Sequence, residues 1–375
     1  MRAALTVGVK EEFLLIDPVT GRNRAVADRV MAGLPDDVRA QSRPELRRST
    51  VTTVAAVRTD LAGLRSELVR LRHAAAKSAE DAGVRLIAIG ATPVGEDDPR
   101  VADDGRHRAI VKRYGPVALD PAVCGMRVYV GVPDRETGVQ VGNRLQIWLP
   151  VIRALTGNSP VFQGADTGYA SWRSVQLLRW PSMGPAPWFG SADDYDRAVA
   201  ELVASGAVFD AKMVYWYSRL AHHHPAIEIR VNDVCTDVDD GVLTTALIRA
   251  AVATAIADAN AGRRAPRPRD CVVAAAHWRA ARDGLTHTLL DLRLGRTRPA
   301  WELVYEFFAE VSPALLEAGD LDLVLHGLAR LRRRGDGAAQ QRAAFERTND
   351  VRGVLAAVAE LTVSLDRCPR RSRPA

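Results

Sequence analysis

Three short stretches carry charge where a strand is ordinarily apolar. In LTVGVKEEFLLI, residues 5–16, Lys10, Glu11 and Glu12 interrupt an apolar run; residues 123–134 hold Arg127 and Tyr129, and residues 226–234 hold Glu228 and Arg230. Side chains alternate faces along a strand. Thr6, Gly8, Lys10 and Glu12 therefore share one face of the first stretch, Gly125, Arg127, Tyr129 and Gly131 one face of the second, and Glu228, Arg230 and Asn232 one face of the third. The opposite faces are apolar, with Glu11 the exception. If the three strands share one antiparallel sheet, their charged faces converge on a single concave site able to hold a charged substrate or a hard cation. Glycines beside the charges leave room for a ligand near the backbone. The alternative for the same pattern is a sheet with one solvated face, common in antiparallel sheets.

The elements that must position these residues are legible from periodicity. Leu61, Leu64, Leu68 and Leu71 recur at helical spacing within residues 54–81, with Arg58, Arg65, Arg70 and Arg72 at other positions, which predicts a long amphipathic helix. Residues 17–21 form a turn after the first strand, and residues 84–94 read as a short buried strand. Residues 143–156 read as helical. The Gly-, Pro- and Trp-rich stretch 157–190 reads as irregular, and so long an irregular segment points to a functional loop. Helices are expected over 193–205 and 239–260, and an Arg-rich helical region follows. With no solenoid-type repeat, residues 1–365 read as one domain and 366–375 as a disordered basic tail.

Several blocks then match a known pattern. GVKEEFLLIDPVTG, CGMRVYVGVPDRE, WLPVIRALTGNSPVFQGADTGYASWRS with RWPSMGP, IEIRVNDVCTDVDD and QRAAF together resemble the bacterial carboxylate–amine ligases of the glutamate–cysteine ligase type 2 family, in family order over nearly the whole chain. The resemblance implies an α+β fold of the glutamine synthetase/guanido kinase-like kind, with an antiparallel sheet forming a funnel and helices packed on its other face. It implies ATP and magnesium as cofactors, an amino-acid or other carboxylate substrate, an amine, and an acyl phosphate between them. A homodimer is likewise implied. Clustered carboxylates suit magnesium, a hard cation that bridges phosphates and neutralises charge in phosphoryl transfer.

The chain departs from that family pattern at three positions. Where the family's first strand reads Gly-Val-Glu-x-Glu-Phe, Glu12 survives and Lys10 replaces the first acid. Glu45 is retained in VRAQSRPELRRST, with Val38 at the earlier acidic position. The two histidines of the Cys-Gly-x-His-Val-His strand have become Arg127 and Tyr129, whereas Glu228 and Arg230 are intact. The carry-over leaves a reduced metal set of Glu12, Glu45 and Glu228, with Lys10 and Arg127 placing positive charge where an ion would sit. The plainer account of Lys10 is a pair with Glu228 or Glu12 that avoids an unpaired buried charge. Arg173, Arg342, Tyr169 and Ser171, all in preserved blocks, become candidate nucleotide and substrate contacts. Trp172 is either a wall of the same end of the loop or core. Three functional readings stay open: a ligase with an altered metal set, an inactive or repurposed paralogue binding a small acid or a partner subunit, and metal-independent acyl transfer in a cationic pocket.

Composition excludes other classes. The chain has 375 residues, 47% of them hydrophobic and 26% charged, an ordinary globular composition. The net charge of +6 is spread among interspersed acids, with no alternation of basic and aromatic residues, so no nucleic-acid partner is expected. Cys124, Cys235, Cys271 and Cys368 lack metal or disulfide spacing and read as reduced thiols. No membrane partner and a cytoplasmic location are expected, because the apolar runs are short and the N-terminus lacks a leader pattern. His222–His224 read as a solvated turn before Pro225, since adjacent residues cannot all face one ion. GxSxG, P-loop and GxGxxG motifs are missing.

Overall fold

The computed structural model describes residues 4–364. Its strands are β1 (Val7–Ile16), β2 (Ser42–Pro44), β3 (Thr50–Val54), β4 (Arg85–Ile87), β5 (Gly125–Gly131), β6 (Val161–Phe162), β7 (Ala165–Asp166), β8 (Ser218–Leu220), β9 (Ala226–Asp233), β10 (Thr288–Asp291) and β11 (Arg296–Pro299). Seven of them form one antiparallel sheet in the order β2-β3-β1-β5-β9-β8, with β4 also paired to β1. The three charged strands are thus neighbours at its centre. Lys10 lies directly opposite Arg127, and Tyr129 opposite Glu228. The α+β fold class expected from the sequence is present.

The long helix begins later than its apolar pattern suggests, at Leu61–Asp81. The β-branched run Thr50–Val54 is taken by β3, which pairs with β1, and Asp60 then caps the helix by accepting from the Gly63 N–H. Residues 143–156 are two helices rather than one, the end of Arg135–Leu145 and the separate Leu149–Leu155, with Pro150 in the first turn of the second. Strand β4 covers only three residues of the stretch read as a strand over 84–94. The stretch 157–190 is not wholly irregular: it contains the hairpin β6-β7, turning through Gln163 and Gly164 at positive φ, and the helix Trp172–Leu177 capped by Ser171.

Helix Val238–Asn260 packs on β1 and β5 and against helices Leu61–Asp81, Arg135–Leu145, Ala300–Ala318 and Leu321–Arg334. Among the described residues it is the helix long and apolar enough to cross a membrane, yet 72% of its apolar window is buried inside the protein. The core spreads between sheet and helices, and a second cluster gathers around Tyr195, Phe189 and Trp216.

Glu11 belongs to the helix side of the sheet. Arg72, assigned from sequence to positions outside the apolar stripe, is instead fully buried there; its Nε and Nη2 donate to Glu11 Oε2 and Oε1 at 3.0 and 2.5 Å. Val38 is also core, 2% exposed beneath β2, so that position does not face the charged side at all. The β5–β9 register shifts between Met126 and Val128. Beyond this bulge Asn232 stands opposite Met126, on the buried face, and Asp233 stands opposite Gly125. The bulge therefore corrects the placement of Asn232 on the polar face and substitutes Asp233. Cys368 and the tail lie outside the described residues.

Candidate functional site

The polar faces of β1, β5 and β9 form the floor of an open cavity of about 910 Å³, its mouth included. Glu12, Glu45, Arg127, Arg173 and Arg230 line it together, with Gln176 on one side. The convergence expected of the three strands is therefore present, and Lys10 and Glu228 are tied to it through ion pairs.

Each carboxylate is held by groups of the chain itself. Glu12 accepts from Arg127 Nη2 at 2.7 Å and from the Gly125 backbone N–H at 2.9 Å. Glu45, in the turn after β2, accepts from Lys10 Nζ at 2.5 Å and from the Thr52 hydroxyl at 3.0 Å. Lys10 is 4.0 Å from Glu12. Its first partner is thus Glu45, with Glu12 a longer second; of the two partners considered above, Glu228 is the one that the geometry corrects, being held by Arg219 and Arg230 instead. Glu228 is enclosed by Arg219 Nε and Arg230 Nη1, each donating at 2.6 Å, and by the Tyr129 hydroxyl at 2.9 Å.

These pairings set the protonation states. Burial pushes the Glu45 carboxyl up, but the Lys10 and Arg127 charges outweigh it and hold the group down at about 2. Glu228 is likewise depressed, with Arg230, Arg219 and Arg127 overcoming burial. Burial lowers Arg230 to about 10 despite Glu228, while burial together with the Glu228 charge raises Tyr129 to about 12. Burial lowers Arg127 too, yet Glu12, Glu45 and Glu228 reverse that and leave it raised.

Arg173 reaches the cavity from helix Trp172–Leu177. Its guanidinium packs so close to Gly125 that a Cβ at that position would collide with it. Nη1 is 3.7 Å from Asp233 Oδ1, and Asp233 is itself fixed by the hydroxyls of Ser159 and Ser171 at 2.6 and 2.8 Å. With every group ionised, Lys10, Arg127, Arg173, Arg219 and Arg230 outnumber Glu12, Glu45, Glu228 and Asp233 by one positive charge. Four polar side chains of this cavity hold buried atoms with no hydrogen-bond partner among the described residues: Arg47, Arg173 and Arg230 at Nε, and Gln176 at both amide atoms. Unpaired buried groups in a cavity wall are where a ligand's own polar atoms go.

The donor set does not fit a magnesium ion. Among the described residues no three Asp, Glu, His or Cys side chains form a group that could hold an ion. Each of Glu12, Glu45 and Glu228 already carries a cation of the chain at hydrogen-bond distance. An ion entering there would have to displace Lys10 from Glu45, Arg127 from Glu12, or Arg219 and Arg230 from Glu228, so the reduced metal set inferred from the resemblance is not what the geometry offers.

Other candidates stand elsewhere. Arg342 pairs with Asp166 at 2.7 Å and donates to the Tyr169 carbonyl at 3.0 Å, beside a separate surface cavity with Arg282 and Glu346. Tyr169 packs edge-on to Trp172 and under the Arg282 guanidinium, outside the charged cavity. Ser171 is 1% exposed and serves as a helix cap and a support for Asp233. Trp172 packs against Phe162 and Tyr169 and is not among the cavity walls. His222–His224 occupy the turn between β8 and β9, as expected. Sequence reasoning missed Arg219, Asp233, Gln176 and the buried Arg47–Glu96 pair at 2.7 Å. Arg219 had a usable signal: a short run, a polar turn and then β9 is a hairpin pattern.

A model of the Glutamate-cysteine ligase family 2 matches residues 6–360. A chain of Salinispora tropica named "Putative glutamate–cysteine ligase 2" is 57% identical over 359 residues, covering 96% of this chain and 95% of its own. A chain named "Putative glutamate–cysteine ligase 2-2" from Mycobacterium sp. strain KMS is 42% identical over 369 residues, covering 97% and 100%. The crystal structure of a glutamate–cysteine ligase from Francisella tularensis in complex with AMP superimposes with a TM-score of 0.71 at 12% identity, over 97% of this chain and 90% of that one. A bifunctional glutathione synthetase from Pasteurella multocida gives 0.69 at 14% identity over 96% of this chain, which spans about half, 52%, of that longer protein. At such identities these two likenesses show a shared fold.

Proposed function

The chain belongs to glutamate–cysteine ligase family 2, and from that premise we propose that it is an ATP-dependent carboxylate–amine ligase whose own cations neutralise the reacting charge. The observation that carries this reading is the charged cavity floor, where Lys10 and Arg127 hold Glu45 and Glu12 at 2.5 and 2.7 Å. In the proposed reaction a carboxylate oxygen of the acid attacks the γ-phosphorus of ATP. The new O–P bond forms as the bond to the bridging oxygen breaks and ADP leaves. The amine nitrogen then attacks the acyl carbon, the C–O bond to phosphate breaks, and inorganic phosphate departs carrying the proton that the nitrogen gives up. Arg127, Arg173 and Arg230, on the cavity wall, are the groups assigned to the phosphate and carboxylate oxygens. Glu45 and Glu228 stay ionised near neutrality and act as fixed anions that hold those cations in place, not as proton carriers. Free Cys124, Cys235 and Cys271 agree with a place in the cytoplasm.

A second reading, an acid-binding paralogue without turnover, is favoured by one observation: each acid matched to the family's metal ligands is already neutralised by the chain. The discriminating measurement is phosphate release from ATP over a panel of amino-acid and amine pairs, with and without excess chelator. The ligase reading expects release that needs both substrates, survives chelation and falls by about a hundredfold or more in Arg127→Met. Release only from the double variant Lys10→Glu/Arg127→His, and only with magnesium, would establish the paralogue. Val38→Glu has no place in that variant, since it would bury a carboxylate in the core.

A further inference from the structure

A second cavity, of about 860 Å³ with its mouth included, lies between the segment Pro185–Trp188, the residue after helix Arg135–Leu145, and the start of helix Asp270–Asp283. It shares no lining residue with the charged cavity. Its floor is apolar around Val273. One wall carries Gln146, 6% exposed, whose Nε2 donates to the Ala186 carbonyl at 2.7 Å. That bond fixes the amide orientation, because a flip would set two oxygens against each other. Oε1 is left buried in the cavity wall with no donor among the described residues. Arg267 lines the same cavity; its guanidinium lies 5.2 Å from the centroid of the Trp188 ring and makes no ion pair among the described residues. Asp270 bounds the same lip, and the free thiol of Cys271 is exposed on it.

We propose that this cavity is a second ligand site, for a small flat heteroaromatic acid bearing a ring N–H. The N–H supplies the donor that Gln146 Oε1 lacks. The ring lies on the Trp188 and Val273 surfaces, and the single carboxylate faces Arg267. The site is independent of the ligase reading.

Cys271 is the reporter for the test. In full-length protein carrying Cys368→Ser, Cys124 and Cys235 are buried, so alkylation by iodoacetamide reads Cys271. Indole-3-carboxylate is expected to slow that alkylation saturably, by at least about fivefold. Its N-methyl analogue, which lacks the donor, and the variant Arg267→Gln should each raise the half-protecting concentration by about tenfold. Phosphate release should be unaffected by the probe and by the variant, which separates this site from the charged cavity. No protection at millimolar probe overturns the proposal, and so does equal protection by the N-methyl analogue or in Arg267→Gln.

Discussion

Glu11 and Glu12 are neighbours in one strand and meet opposite fates. Glu11 points into the helix layer, where its pair with Arg72 is sealed, at 0% and 1% exposure. Arg72 also donates to the carbonyls of Thr236 and Cys235 at 2.7 and 2.8 Å and lies over the Phe13 ring. Glu12 points into the cavity, where it shares a network with one positive charge in excess and with unpaired Arg173, Arg230 and Gln176 atoms buried in its wall. The first pair is complete: two charges, matched and tied to the backbone carbonyls of Cys235 and Thr236, leave no capacity for a ligand. The second is incomplete by construction. Charge in a strand thus means closed architecture on one face and an open, unsatisfied network on the other.

The sharpest way to break this contrast is at Arg72. Removing it strands Glu11 in a dry interior, so Arg72→Met is expected to cost about 3–5 kcal/mol in urea unfolding. The double variant Glu11→Leu/Arg72→Met should recover most of that, since matched apolar groups replace a closed pair at little cost. If the double variant is as unstable as the single, the pair holds the fold in some way beyond avoiding an orphaned charge.

This same pair marks the boundary of what the sequence discloses. The three strands and the charged face of β1 and β5 follow from alternation, because a strand's faces are a local property. The bulge is not local. Asn232 and Asp233 exchange faces through a register shift that depends on how β9 meets β5. Arg219 sits on a strand of three residues, too short for a pattern of its own. Arg72 falls four residues after Leu68, on the buried stripe, but its charge reads as surface until Glu11, 61 residues away, is known to face it. The two anomalies explain each other, and either alone looks like an exception. The substitution of Lys10 for a family acid was visible, whereas its choice of Glu45 over Glu228 depends on the turn after β2.

A middle-sized effect tests the cavity side. Glu45 has a folded value of about 2 against an ordinary 4.5, depressed by Lys10 and Arg127 after burial is overcome. A depressed carboxylate contributes stability that is fully present above its unfolded value and lost as pH falls through the folded one. The contribution should therefore be complete above about pH 4.5 and disappear toward pH 2. In Lys10→Met the folded value rises and that part of the acid dependence shrinks. Because the Glu45 side chain is 26% exposed, the neutral-pH loss is expected to be about 1–2 kcal/mol. Parallel unfolding curves at pH 7 and pH 3 for the two proteins check this. An unchanged acid slope in the variant would show that Arg127 alone holds Glu45 ionised.

The smallest effect is expected at Arg342, where the contrast between motif and geometry is most direct. It lies in a preserved block, yet its partner Asp166 is on the hairpin β6-β7, and the two side chains are 30% and 45% exposed. A half-solvated pair of this kind contributes at most about 1 kcal/mol. Arg342→Ala should thus leave stability within that margin and phosphate release within about twofold, because the side chain does not reach the charged cavity and a residue far from reacting oxygens has no differential interaction with the transition state. Arg173→Ala, in the cavity wall, provides the comparison and should abolish most turnover. A collapse of activity in Arg342→Ala would mean that the loop carrying Asp166 moves and delivers Arg342 to the nucleotide, so that the preserved block, and not the resting geometry, was the better guide.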